Sequence, residues 1–289
     1  MSEQGVNKQG RMRLNDEFDK RSPNRLWEAL ERPGHLPLID ATGAFAAFTL
    51  RGLAGFRKLP NYTAEVLRQI GLLVAGSVLV IVFISFIAGA SCGIAAEAIG
   101  QAVGAGIVGP LFSSFCVNRE IVPFIFGFIV AAKVGGGIVS QLGAMRVNEE
   151  VDAMETMGVS SMVYLVSTRM LAAMIVMPIC YLISLGAAEG AAWIGSYVRS
   201  GTLSQGTWEF VFYTVTNLTD ILYSVIKGMV ITATVILVAL FFGYRVSGGP
   251  VEVGTATAKS MAVNLILVTI LNMTMTFLFW GFDPRLPIA

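Results

Sequence analysis

The chain has little of what catalysis usually requires. One histidine and three cysteines stand among its 289 residues, so no Ser/His/Asp or Cys/His arrangement and no His-based metal site can be built within it. The single His35 lies in a Pro-flanked segment and reads as solvated. Three cysteines are also too few for a disulfide-stapled secreted module. Charge is equally scarce: 13% of residues are Asp, Glu, Lys or Arg, about half the share of a soluble domain. That scarcity accompanies 55% hydrophobic residues and a mean hydropathy of +0.70, which excludes a soluble globular protein. It excludes a disordered chain as well, because so apolar a sequence collapses. A net charge of +1 leaves no basic face for nucleic acid. The first 40 residues have no apolar core of a cleaved signal peptide. An integral membrane protein remains.

The apolar runs set its organisation. Residues 1–39 are polar and interrupted by Pro23, Pro33, Gly34 and Pro37, predicting a short cytoplasmic tail. From 40 to 60, Phe45, Phe48, Phe56 and Leu59 share one helical face with Arg51 and Lys58 beside it. This predicts a helix lying in the membrane interface, or an amphipathic helix packed on a partner. About 20 apolar residues cross a bilayer, and five such spans are predicted, at about 69–92, 121–145, 163–194, 221–244 and 260–280. The Gly-rich stretch 93–118, with Pro110, reads as a re-entrant or broken helix. The fold class is therefore all-α: an interfacial helix, five transmembrane helices, and a short cytoplasmic helix between spans 2 and 3.

Orientation follows from the Lys/Arg bias of short loops. Eleven of the 20 Lys and Arg precede residue 69. With the N-terminus inside, Arg146, Arg169, Arg245 and Lys259 join them, against Arg119, Arg199 and Arg285 outside. An odd number of spans then puts the C-terminus outside.

Few constellations carry chemistry. Gly254-Thr-Ala-Thr-Ala-Lys259-Ser260 resembles a phosphate loop, but Ala258 replaces the second glycine and no strand precedes it. Any ATP would thus be bound by another subunit. Cys92 and Cys116 both fall near the external side, where a disulfide is permitted, although packing as small residues is the plainer reading. Gly89-x-x-x-Gly93, Gly100-x-x-x-Gly104 and Gly186-x-x-x-Gly190 permit close helix approach. Charges within spans are the sharper signal, since an ionisable group in hydrocarbon must be paired or wet. Asp220 and Lys227 share a face of the fourth span, with Arg119 and Glu120 at the same level of the second, so a Glu120–Lys227 pair is expected. Lys133 lies inside the second span beside Gly135, Gly136 and Gly137. The segment from Met145 to Gly158 predicts a helix capped by Asn148, acidic in its first turn and ended by Gly158. Val151, Met154 and Met157 would form an apolar stripe between its carboxylates, a lever that a motor domain could grip.

At that helix the sequence resembles the MlaE/YrbE permease family. The resemblance rests on Arg119-Glu120-Ile-Val-Pro123, Ala-Lys133-Val-Gly135-Gly-Gly and the Glu-Glu-x-Asp-Ala-Met-Glu-x-Met-Gly helix. Asp220-Ile-Leu-Tyr-Ser-Val-Ile-Lys227-Gly and Phe242-Gly-Tyr-Arg extend it over most of residues 40–282. The Ala-Lys-Val-Gly run and the Met-Gly ending look most like B-type YrbE subunits of actinobacterial Mce systems. The resemblance implies a non-catalytic permease of an ATP-binding-cassette lipid transporter in a bacterial inner membrane. Its implied partners are an A-type YrbE permease, a cytoplasmic ATPase dimer that binds ATP and magnesium, and periplasmic Mce proteins forming a tube, a hexamer. By carry-over Glu149, Glu150, Asp152, Ala153, Met154, Glu155, Met157 and Gly158 would meet the ATPase. Arg119, Glu120, Lys133, Asp220 and Lys227 would form the intramembrane charged set. Asn272 stands where relatives can carry Asp, which reduces any ionic network there. A channel or ion-coupled carrier using these charges is the competing reading. An intramembrane lipid enzyme is disfavoured by the missing catalytic set.

Overall fold

The computed structural model describes residues 37–199 and 204–281; the expected tail up to residue 36, His35 and Arg285 lie outside the described residues. Helix α1 (Pro37–Ala54) leads through a 3-10 segment (Gly55–Tyr62) into α2 (Thr63–Ala102). Then follow α3 (Val108–Val147), α4 (Glu150–Thr156) and α5 (Thr168–Arg199, entered through a π-helical turn at Met162–Ser167). Helices α6 (Gln205–Val215), α7 (Leu218–Tyr244) and α8 (Pro250–Trp280) complete the order. No strand occurs among the described residues. Five helices, α2, α3, α5, α7 and α8, are long and apolar enough to cross a membrane, as the apolar runs predict.

The stretch 93–118 behaves differently from the expected broken segment. Helix α2 runs unbroken to Ala102, the chain turns over 103–107 with Gly104 at φ +73°, and α3 begins at Val108. Gly104 serves that turn, while Gly93 and Gly100 serve packing inside α2. Cβ atoms at Gly89 and Gly93 would land on the backbones of Ala188 and Ala192, and one at Gly100 would stand 2.9 Å from the Gly109 nitrogen. Close approach of this kind is what small residues provide where lipid removes the hydrophobic drive between helices.

Helices α2 and α5 run parallel, paired at a constant offset of 99 residues. Tyr164 donates to Glu65 at 3.2 Å, Ser85 and Ser184 share a hydrogen bond of 2.6 Å, and Gly89 and Gly93 meet Ala188 and Ala192. Parallel directions suit the first and third spans, which cross the same way. A Cβ added at Gly186 or Gly190 would meet no heavy atom within 4 Å, so that third glycine pair faces outward.

The amphipathic helix packs on its own chain. Phe45 and Phe48 each sit edge-on to Phe241 at 5.5 Å, Ser167 donates to the Gly52 carbonyl at 2.8 Å, and Arg51 and Lys58 stay exposed. Its apolar face thus covers α7, leaving the cations outward. The loop before α7 also contains an unexpected helix, α6, too short to show a span pattern. Ser204 caps it through the Thr207 amide at 3.3 Å, and Trp208 and Phe212 stack at 4.8 Å in buried positions. Cys92 and Cys116 are bonded as a disulfide, with Cα atoms 6.3 Å apart, where packed free thiols are the plainer expectation.

Substituting Gly89 by Val should destabilise the detergent-solubilised chain by roughly 2–3 kcal/mol, the usual cost of overpacking. The same change at outward-facing Gly186 should leave the thermal midpoint nearly unchanged.

Candidate functional site

The polar centre of the bundle begins with a proline. Pro123 has no N–H, so the Arg119 carbonyl four residues earlier has no α-helical donor. Just before it the helix widens into a π-helical turn, Cys116–Ile121, in which the Val122 amide reaches back to the Val117 carbonyl. That shift also deprives the Asn118 carbonyl of its α-helical partner. A freed buried carbonyl must be satisfied elsewhere, and α7 supplies both donors. Ser224 donates to the Asn118 carbonyl at 2.5 Å and Lys227 to the Arg119 carbonyl at 2.6 Å. Local π-helical turns of this kind recur at functional sites.

Around these bonds the charges pair. Arg119 reaches Asp220 at 3.1 Å, and Trp280 donates to the other Asp220 oxygen at 2.7 Å. The Arg119 guanidinium also lies 4.1 Å from the Phe115 ring centre, a cation–π distance. Lys227, fully buried, donates to the Thr276 hydroxyl at 2.6 Å and stands 3.6 Å from Glu120. Thr276 and Asn272 both donate to Glu120, at 2.5 and 2.9 Å. The expected Glu120–Lys227 pair is therefore present, with Arg119–Asp220 as a second pair beside it. Asn272 holds Glu120 by a hydrogen bond in place of a charge. Tyr181 of α5 joins through a 2.5 Å bond with Ser224.

Lys133 stands apart from this set. It lies 14 residues beyond Arg119, about 21 Å along α3, in a second π-helical turn, Val130–Gly135. There it lines a separate cavity with Gln69 and Arg169. The network therefore comprises Arg119, Glu120, Asp220 and Lys227 without Lys133.

Helix α4 occupies the other end of the bundle, where Tyr244 closes α7 about 36 Å from Asp220. The residue preceding the helix is Glu149, at φ 58°, and not Asn148, which ends α3. The left-handed turn at Glu149 lets α3 reverse within two residues, and Gly158 at φ +79° ends the segment as expected. Val151 is buried and Met154 half-buried against the bundle, while Met157 is 72% exposed. The expected apolar stripe is thus split, its first member anchoring the helix inward. Glu149, Glu150, Asp152, Ala153, Glu155 and Gly158 are exposed around it. Arg146 bonds Asp152 at 3.1 Å, and Ser161 bridges Glu155 at 2.5 Å and Tyr244 at 2.8 Å.

Sequence reasoning misses Ser224, Thr276, Trp280 and Tyr181. The spacings Asp220, Ser224, Lys227 and Asn272, Thr276, Trp280 place polar groups on single faces of α7 and α8. That periodicity is the signal that points to Ser224, Thr276 and Trp280; nothing comparable marks Tyr181 on α5.

Replacing Asp220 by Ala leaves a buried guanidinium without its carboxylate and should cost about 3–5 kcal/mol. Replacing Arg146 by Ala breaks an exposed pair and should cost less than about 1 kcal/mol. Denaturant unfolding of the two variants in one detergent measures the difference.

The chain is similar to bacterial proteins over most of its length and to a plant protein over about half of it. A probable ABC transporter permease protein of Rickettsia bellii is 27% identical over 247 residues, 84% of this chain and 93% of the relative. One of Rickettsia prowazekii is 27% identical over 249 residues, 85% and 94% of the two chains. The chloroplastic protein trigalactosyldiacylglycerol 1 of Arabidopsis thaliana is 24% identical over 173 residues, 56% and 46% of the two chains. The family described as Permease MlaE matches residues 66–278, which hold nearly all of the five long apolar helices, both charge pairs and α4. The chain is a multi-pass membrane protein and belongs to the MlaE permease family.

Proposed function

We propose that this chain is the membrane permease of an ATP-driven lipid transporter of the Mce type, its B-type YrbE subunit. In this reading it lies in a bacterial inner membrane, N-terminus cytoplasmic and C-terminus periplasmic. An A-type YrbE permease completes the pair, an ATPase dimer holding ATP and magnesium seats on α4, and periplasmic Mce proteins receive or deliver lipid beyond the opposite end. Import of fatty acids, mycolic acids or related lipids is the favoured direction and substrate class.

The observation that carries this reading is α4. A seven-residue helix is fastened to the bundle by Val151, by Arg146 and by the Glu155–Ser161–Tyr244 bridge, while its acidic side and Met157 project outward. A helix held this way passes a push to α3, α5 and α7 instead of flexing. Closure of the ATPase dimer would then change access to the permease cavity, provided that ATP binds the two states with different affinity. The relatives named as ABC transporter permeases support the ATPase partner. The relative named after trigalactosyldiacylglycerol, a glycolipid, supports lipid as cargo.

The ion-carrier reading needs a path of charges through the bundle. Lys133 stands about 21 Å from Arg119 along α3, and Arg119, Asp220 and Lys227 are bound to one another, which disfavours such a path.

Reconstituted with its partner subunits, the wild-type chain should move labelled lipid only when ATP is hydrolysed. Glu150→Lys, an exposed charge reversal on α4, should reduce that transport at least tenfold while membrane insertion is unchanged. Transport that persists without ATP, or that follows an ion gradient, would contradict the proposal.

A further inference from the structure

The cavity that holds Lys133 is unexplained by the network or by α4. It has a volume of about 210 Å3 and lies between α2, α3 and α5. Its charged lining residues, Lys133 and Arg169, are both cationic. Arg169 is only 5% exposed, donates weakly to its own helix at the Leu165 carbonyl (3.5 Å), and its Nε has no hydrogen-bond partner. Lys133 is exposed at the rim, and Gln141, two helical turns further along α3, also lines the cavity. The nearby carboxylate, Glu65, is already bound by Arg68 at 2.9 Å, Gln69 at 2.7 Å and Tyr164 at 3.2 Å. Two positive charges thus line the cavity, and the one carboxylate that attracts Arg169, Glu65, is shared with Arg68. A buried guanidinium with a free donor calls for an anionic acceptor.

Depth and shape narrow that anion. Gln69 is six residues into α2 and Gln141 six before the end of α3, about 9 Å from the helix ends. Each helix is 40 residues long, about 60 Å, against a hydrocarbon core of about 30 Å. Gln69 and Gln141 therefore lie at headgroup level, and Lys133, deeper in α3, can extend its chain toward them. Gly76 and Gly137 line the mouth, and neither would have a heavy atom within 4 Å of a Cβ. Leu72, 52% exposed, gives the entrance an apolar edge.

We infer that this cavity binds the acidic headgroup of a lipid in the leaflet on the α4 side, with Arg169 and Lys133 holding its phosphate or carboxylate and the glycine mouth admitting its acyl chains. The site is separate from the charge network and does not depend on the lipid being transported.

Native mass spectrometry of the delipidated full chain tests this. Phosphatidylglycerol and phosphatidylcholine with identical acyl chains are titrated separately, with inorganic phosphate as a competitor. Phosphatidylglycerol should bind about tenfold more tightly, the worth of one charge-assisted hydrogen bond. Lys133→Gln should remove that preference and Lys133→Arg retain it. Arg51→Gln, which removes an exposed cation on α1, should leave it intact. Gly137→Leu should weaken phosphatidylglycerol binding by filling a mouth that has room for the side chain. Equal binding of the two lipids, or a preference unchanged in both Lys133→Gln and Gly137→Leu, would overturn the inference. Displacement of phosphatidylglycerol by equimolar phosphate would overturn it too, by making the site one for a free anion.

Discussion

Arg119, Asp220 and Lys227 are buried within a bundle built to sit in lipid, and the need to match each of these charges organises the helices around them. A charge in such a place persists only with partners. Arg119 takes Asp220, which takes Trp280; Lys227 takes Glu120, Thr276 and a backbone carbonyl. These bonds link α3 to α7 and α8, the elements least able to rely on apolar attraction when the surrounding medium is apolar as well. Pro123 sits at the origin of the chain of causes. Its missing N–H leaves a carbonyl for Lys227, and the π-helical turn before it frees another for Ser224. Backbone chemistry thereby fixes where the charges can settle.

The opposite end is organised by shape. A two-residue reversal at Asn148 and Glu149 is possible because Glu149 adopts the left-handed region, and the resulting short helix is pinned by Val151 beneath it. Between the two ends, α2 and α5 lie in backbone contact through Gly89, Gly93, Ala188 and Ala192. Helices packed this closely shift as bodies more readily than they deform, as the proposed drive through α4 requires.

Much of this is legible in the sequence. Long apolar runs announce spans because no other element of this composition crosses lipid, and Asp220 with Lys227 on one face announces pairing. The cap of α4 is harder to read, because Asn148 favours caps in general, whereas the tight reversal assigns that place to the next residue. Gly93 and Gly100 look like helix breakers by propensity, yet the close approach of α2 to α5 and α3 makes them packing residues, and only Gly104 serves the turn. Trp280, Thr276 and Ser224 escape a sequence reading because each is ordinary alone; only their position against α3 gives them acceptors. The cavity around Arg169 belongs to tertiary structure, since its lining comes from three helices distant in sequence.

If α4 seats a motor and the rest of the chain works beside a second permease, those proteins should travel with it. Affinity purification of the chain from its native membranes in mild detergent, with mass spectrometry of the proteins and lipids retained, addresses this most directly. An ABC ATPase, a second YrbE-like permease and Mce proteins should be recovered together with bound lipid. Recovery of this chain alone, as a stable assembly lacking any ATPase, would contradict that assignment of α4.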